Sequence, residues 1–228
     1  MTDAHCHAPG GAARHFICSP ADGAACADDV VFIGAHPWFA DGFDPARLRD
    51  RLAADPRLGV GEIGLDRLRE RVISPRMREV FGQQLAIAAE FRRPVALHGA
   101  KCWGEVLKAA SAVRGVPAWL FHGFSRSEGL LDGITAVNGF ISVGPAVLND
   151  HAVNYRALVK KIPSERLLVE TDRTAENAAV TPPVEAIAAK LAELRGVPAD
   201  ILAGVLEANA DRLVERLVRA PPFYGIIT

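Results

Sequence analysis

The chain has 228 residues, half of them hydrophobic, and a formal net charge of −1. That length fits one domain over residues 1–228 with a sizeable core; no apolar run nears the roughly 18 residues of a membrane span, and the charge gives no support to a protein living on long duplex DNA. With no basic or apolar leader at the start and no Cys-x-x-Cys pair among Cys6, Cys18, Cys26 and Cys102, the expectation is a reduced, cytoplasmic compartment.

The first expected strand is Thr2-Asp3-Ala4-His5-Cys6-His7. Side chains alternate along a strand, so His5 and His7 share a face, with Asp3 one step deeper. Arg14–Cys18 and Val30–Gly34 read as the next two strands. Their connections, about 6 to 12 residues, are short for the crossover helices that parallel strands need, so the first part of the fold is expected to be trimmed. Asp44 and Pro45 suit the N-cap and first position of a helix to about Ala54. Leu58–Ile63 is the fourth strand. Ser74-Pro75 opens a helix to about Arg92, with Met77, Phe81, Leu85 and Ala88 recurring at helical spacing. Pro94–His98, a helix over Trp103–Val113, and Pro117–His122 follow. A short helix over Ser127–Thr135 then precedes the strand Gly139–Val143. A helix over Asp150–Ile162 leads to the eighth strand, Leu167–Asp172. Helices over Val184–Leu194 and Ala199–Val218 close the chain, and the tail Ala220–Thr228 is expected to be irregular.

Eight apolar strands that mostly alternate with helices predict an α/β fold, a (β/α)8 TIM barrel with helices trimmed after the first strands. Such barrels work at the C-terminal ends of their strands. Five of the seven histidines fall at such ends: His5 and His7, His36, His98 and His122. Glu62 and Asp172 join them from the fourth and eighth strands. Glu62 follows a glycine inside an apolar run, where an unpartnered carboxylate is costly to bury. Imidazole and carboxylate together suit zinc or manganese, whereas magnesium prefers oxygen alone. Six ligands exceed what one ion with an open position needs, and suit two divalent ions sharing a carboxylate. The expected arrangement is His5, His7 and Asp172 on one metal, His98 and His122 on the other, and Glu62 bridging. Two such ions activate water and clamp a phosphoryl group. Asp172, as a proton acceptor, and Glu62 are the expected catalytic carboxylates. Arg67, Arg69, Lys101, Arg126 and Arg173 bring cations to the same loops, which suits a phosphate ester, although each taken singly is more often a solvated surface residue; Lys101 and Arg126 are the substrate-binding candidates. Trp38, Trp103 and Phe124 lie there too; one could stack on a base, although packing is the commoner fate of such side chains.

These motifs resemble the TatD family of metal-dependent hydrolases. The opening Asp3-Ala4-His5-Cys6-His7 is similar to its Asp-x-His-x-His, and Gly34-Ala35-His36-Pro37 to its Gly-x-His-Pro. The most specific match is Gly61-Glu62-Ile63-Gly64-Leu65-Asp66. Pro94–His98, Phe121-His122-Gly123-Phe124 and Leu168-Val169-Glu170-Thr171-Asp172 complete a likeness that runs from about residue 2 to residue 216. The resemblance implies two divalent metals (Zn, Mn or Mg) on His5, His7, Glu62, His98, His122 and Asp172. It also implies phosphodiester hydrolysis of the DNase or 3′–5′ exonuclease kind, with His36 near the substrate phosphate. The chain departs from the family at Gly99-Ala100-Lys101, where an Arg is usual, at Arg67 in place of Tyr, and at Arg173-Thr174 after Asp172. The leading expectation is a metal-dependent hydrolase acting on DNA ends or small phosphodiesters. The alternatives are an ester or amide hydrolase on the same barrel and a metal-stabilised binding protein without turnover.

Overall fold

The computed structural model describes residues 1–18, 28–69, 71–125 and 128–218. Its eight strands are β1 Thr2–Cys6, β2 Arg14–Cys18, β3 Val30–Ile33, β4 Gly59–Asp66, β5 Val95–Ala100, β6 Trp119–Phe121, β7 Gly139–Val143 and β8 Leu167–Val169. All pairings are parallel, and each strand lies beside its neighbours in sequence. Among the described residues β8 and β1 share no ladder. Their seam is closed by the Asp3 side chain and one backbone bond: the Thr171 N–H and hydroxyl donate to the two carboxylate oxygens of Asp3, at 2.9 and 2.5 Å, and the Asp172 N–H donates to the His5 carbonyl at 3.1 Å. The result is the expected barrel, nearly closed.

Seven helices surround it: α1 Pro45–Ala54, α2 Pro75–Glu90, α3 Trp103–Ala112, α4 Leu131–Ala136, α5 Val153–Val159, α6 Val184–Arg195 and α7 Ala199–Val218. The start signals act as expected. The Asp44 carboxylate accepts from the Ala46 and Arg47 N–H groups, and Ser74 Oγ accepts from the Met77 N–H at 3.0 Å. Strand alternation sorts the core into two layers. Val60, Ile63, Leu97, Phe121, Ile141 and Val169 pack outward with Leu52, Phe81 and Val106 of the helices, while Phe16, Phe32, Ala96, Leu120, Phe140 and Leu168 cluster with Leu213 and Leu217 of α7.

Several boundaries differ from expectation for local reasons. β1 stops at Cys6 because the His7 and Ala8 N–H groups turn to the Arg173 carbonyl, at 2.8 and 2.9 Å. β4 runs on to Asp66, past the expected end at Ile63, and β8 ends at Val169, short of Asp172. α5 begins only at Val153, since the Asn149 side chain holds the His151 N–H in a turn, and it ends before Pro163, which disfavours helix at the preceding residue. No helix follows β1, as expected. The link from β2 to β3, with Cys26, lies largely outside the described residues, as do Ser127 and the tail from residue 219. No described helix is long and apolar enough to cross a membrane, and Cys6, Cys18 and Cys102 are free and buried.

Candidate metal centre

Two strand irregularities sit where the candidate ligands lie. The β1–β2 register slips between Asp3 and Cys6, around His5, and the β4–β5 register slips between Val60 and Ile63, around Glu62. Bulges of this kind re-aim side chains at active sites. Beyond the second slip, β4 and β5 pack very closely. A Cβ on Gly64, whose φ is 157°, would sit 1.9 Å from the His98 carbonyl oxygen, so glycine is required for this approach. The approach places Glu62 and Asp66 on either side of the His98 ring.

Glu62 is the hub. Its two carboxylate oxygens face different histidines. Oε2 lies 3.6 Å from His5 Nε2 and 3.3 Å from His7 Nε2. Oε1 lies 2.6 Å from His98 Nδ1 and 2.7 Å from His122 Nε2. Asp172 closes the first side, its Oδ1 3.7 Å from His5 Nε2 and 3.8 Å from His7 Nε2. Its φ of 49° is the left-handed conformation that Asp tolerates better than most residues. Three overlapping sets, His5–His122–Asp172, His5–His7–Glu62 and His36–Glu62–His98, each bring their ligand atoms within 4.8 Å of one another. All six residues expected as ligands, together with His36, are thus gathered in one place.

The far nitrogens set the tautomers. His7 Nδ1–H donates to the Cys18 carbonyl at 2.6 Å, which leaves Nε2 as a lone pair toward Glu62. His98 Nε2 meets Asp66 Oδ2 at 2.9 Å, and His122 Nδ1 lies 3.5 Å from Glu170 Oε1. His5 is fully buried and stacks on His122 with ring centroids 3.9 Å apart, yet neither of its nitrogens has a hydrogen-bond partner. An unsatisfied buried imidazole is costly, and a cation accepting the Nε2 lone pair satisfies it. The site therefore fits a divalent metal.

Charge tells the same story. Burial alone pushes the Glu62 carboxyl up, but His122, His5 and His7 together hold it well below its ordinary range. Burial pushes the His98 and His122 imidazoles down, and the carboxylates facing them outweigh it, Asp66 and Glu62 for His98 and Glu62 and Glu170 for His122, so both end raised. His7 is raised by its contact with Glu62. His36 behaves differently. Burial, opposed by Glu62, lowers it to about 4, so it is neutral at pH 7. Its Nδ1 accepts the Trp38 N–H at 3.2 Å, which leaves the ring proton on Nε2, 3.9 Å from Glu62 Oε1. His36 is thus placed as a hydrogen-bond donor into the site.

The outer cations divide. Arg67 pairs with Glu105, Arg69 lies over the Trp38 ring at 5.3 Å, and the Arg173 guanidinium donates to the Ala8 and Pro9 carbonyls. Lys101, directly after β5, is exposed, and its ammonium makes no ion pair among the described residues. Arg126 lies outside the described residues. Trp103 and Phe124 are buried against each other and do not face a substrate, whereas Trp38 is 47% exposed. Two buried carboxylates, Asp66 and Glu170, received no role from the sequence. Each directly follows an apolar stretch of strand, residues 63–65 before Asp66 and 167–169 before Glu170, and an ionised side chain buried there needs partners.

Imidazoles and carboxylates in this number, at the rim where parallel barrels do their chemistry, define the class of metal-dependent hydrolases. Within that class the chain belongs to the TatD related DNase family, whose model matches residues 24–215. The match begins after β1, so His5 and His7 rest on the geometry described above. The chain is 29% identical over 198 residues to the uncharacterized metal-dependent hydrolase YabD of Bacillus subtilis, covering 79% of this chain and 75% of that protein. It is 34% identical over 144 residues to the 3′-5′ ssDNA/RNA exonuclease TatD of Dickeya dadantii, covering 61% of this chain and 54% of that one. The chain thus spans about half the length of the exonuclease relatives it matches. In fold it is similar to the TatD homologue YjjV of Escherichia coli, with a TM-score of 0.81 at 23% identity over 93% of this chain and 96% of that one.

Proposed function

We propose that this chain is a binuclear metal-dependent phosphodiesterase of the cytoplasm that removes nucleotides from DNA ends, a TatD-like deoxyribonuclease and 3′–5′ exonuclease. The observation that carries this reading is the division of Glu62, a single buried carboxylate with one oxygen turned to His5 and His7 and the other to His98 and His122. Such a carboxylate suits two ions, of Zn, Mn or Mg, better than one. His5 Nε2, His7 Nε2, Asp172 and Glu62 Oε2 would hold the first, and His98 Nδ1, His122 Nε2 and Glu62 Oε1 the second. When bound, two divalent ions lower the pKa of water and neutralise charge on a phosphoryl group.

The chain's own residues would do the rest. The Asp172 side chain, 52% exposed, would accept the proton of the attacking water. His36 would donate its Nε2–H to a phosphate oxygen. Lys101 and Arg126 would meet the backbone of the bound strand. The likeness to relatives named 3′-5′ ssDNA/RNA exonucleases supports single-stranded nucleic acid as the substrate class.

The test is metal content per chain, paired with hydrolysis of a 5′-labelled single-stranded oligonucleotide whose 3′ end is free or blocked. The expected result is about two ions per chain and stepwise shortening of the free-ended strand only, lost in His122→Ala. Metal-replete protein that shortens neither strand would overturn the nuclease reading.

A further inference from the structure

Asp66 lies at the end of β4 and is 1% exposed. Its two oxygens have separate tasks. Oδ1 accepts the backbone N–H groups of Leu68 and Arg69, at 2.5 and 3.0 Å. Oδ2 lies 2.9 Å from His98 Nε2 and also accepts the Trp38 indole N–H at 2.9 Å. An indole nitrogen can only donate, so Oδ2 faces it as an acceptor. The same oxygen therefore takes a proton from His98, and Nε2 carries it. On the opposite side of the ring, Nδ1 lies 2.6 Å from Glu62 Oε1.

We propose that Asp66 is a positioning residue that fixes His98 with its proton on Nε2, so that the Nδ1 lone pair is delivered to the second metal position. The inference rests on the binuclear reading: without metal a carboxylate faces each ring nitrogen and both can carry a proton, whereas a cation at Nδ1 leaves the proton on Nε2 beside Asp66. Outer carboxylates of this kind set ligand orientation and basicity, and their loss typically costs about 10- to 100-fold in metal affinity. Asp66 also ties the mouth of the site to its floor. The Trp38 ring that it anchors meets the His36 ring edge-on at 4.8 Å and carries the Arg69 guanidinium on its face.

The geometry specifies an unusually informative substitution, Asp66→Asn. The Leu68 and Arg69 N–H groups hold whichever atom occupies Oδ1, so the amide oxygen must take that place. The amide nitrogen then replaces Oδ2 and points its hydrogens at His98. His98 must accept at Nε2, moves its proton to Nδ1, and no longer offers a lone pair toward Glu62. Trp38 in turn faces a donor in place of an acceptor.

Zinc titration against a chromophoric chelator reads the consequence. In Asp66→Asn, one site is expected to weaken by about 10- to 100-fold and the other to stay within about twofold of the parent protein. The ¹⁵N spectrum of the imidazoles should show the His98 proton on Nε2 in the parent at saturating zinc, and on Nδ1 in the variant at a zinc level that fills only its intact site. The double variant Trp38→Phe/Asp66→Asn removes the donor–donor conflict at the indole. Its thermal stability should recover while the weakened site stays weak. A parent His98 protonated on Nδ1, an unchanged pair of zinc affinities, or recovery of both stability and affinity in the double variant would each overturn the proposal. A parent protein that binds no zinc would overturn the binuclear reading and this proposal with it, whereas a zinc-binding parent whose affinities survive in Asp66→Asn would overturn this proposal alone.

Discussion

The two flanks of Glu62 are built differently. On the β5–β6 flank the imidazoles of His98 and His122 approach Oε1 to 2.6 and 2.7 Å, and each turns its other nitrogen toward a buried carboxylate. On the β1–β8 flank His5 and His7 stand 3.6 and 3.3 Å from Oε2, and the third candidate ligand, Asp172, is half exposed. His7 is oriented by a backbone carbonyl and His5 by no hydrogen bond at all. One flank is held in shape before any metal arrives. The other leaves room at the mouth, where water and substrate must enter. The difference teaches that a shared carboxylate can serve two positions with opposite needs, firm retention at one and access at the other.

Glu62→Gln should have the largest effect because it removes the element common to both flanks. The buried imidazoles lose their central counter-charge, which costs on the order of 3–5 kcal/mol when one partner of a buried pair is removed. Metal content should fall below about one ion per chain, with turnover lost. Thermal unfolding and metal analysis of the same sample check both. A variant that keeps both ions at parental affinity would show that Glu62 does not join the flanks.

The flanks are separated by His122→Ala and His7→Ala. Preorganisation favours the β5–β6 position, so His122→Ala should remove the tighter zinc equivalent and His7→Ala the weaker one, with affinities about tenfold or more apart in the parent protein. Equal affinities, or the reverse assignment, would dissolve the contrast.

Metal removal and pH act more gently. The metal-free site still has its ion pairs to Glu62, so chelator-treated protein should stay folded. At a free zinc concentration about 100 times the dissociation constant, binding adds about 2.7 kcal/mol, which corresponds to a rise of roughly 5–10 °C in Tm for a chain of this size. The pH trends of the two forms should oppose each other. His7, His98 and His122 are raised in the folded protein. Their contribution to metal-free stability is therefore fully present below the ordinary imidazole value of about 6.5 and is lost as pH rises through the folded values. Metal binding needs these rings neutral and strengthens over that same rise. Calorimetric unfolding of both forms across neutral to alkaline pH tests this; parallel trends would mean that the raised imidazoles do not compete with the metal.

How much of this is legible in the sequence depends on the scale of the feature. The strands were legible because each is a short apolar run, and the helix starts because Asp44 and Ser74 are strong caps. The gathered residues were legible because barrel chemistry lies at strand ends, where His36, His98 and His122 fall. That Glu62 lies between the two histidine pairs is expected from the ligand count; the distance of each oxygen from its histidines is not, because it depends on register slips that no local pattern encodes. Asp66 and Glu170 were passed over for a related reason. Both read as parts of motifs, and only the fold shows each beside the far nitrogen of a histidine from another strand. The rim arginines show the same dependence on the fold: the sequence puts Arg67, Arg69 and Arg173 on the loops of the site, and only the structure shows Glu105, Trp38 and backbone carbonyls engaging them.

That leaves Lys101 as the sharpest small test of which flank the substrate crosses. It follows β5 directly, three residues after His98, in a left-handed conformation with φ 58°, and it is exposed. If the strand passes over the β5–β6 flank, Lys101→Ala should raise KM for an oligonucleotide about two- to fivefold and leave kcat unchanged, because an exposed cation contributes equally before and during the reaction. The salt dependence should discriminate further. Removing one phosphate contact lowers the log–log slope by about 0.7 for a single strand. A changed kcat would mean that Lys101 reaches the reacting phosphate itself, and an unchanged slope would put the strand's path on the β1–β8 side, over Asp172.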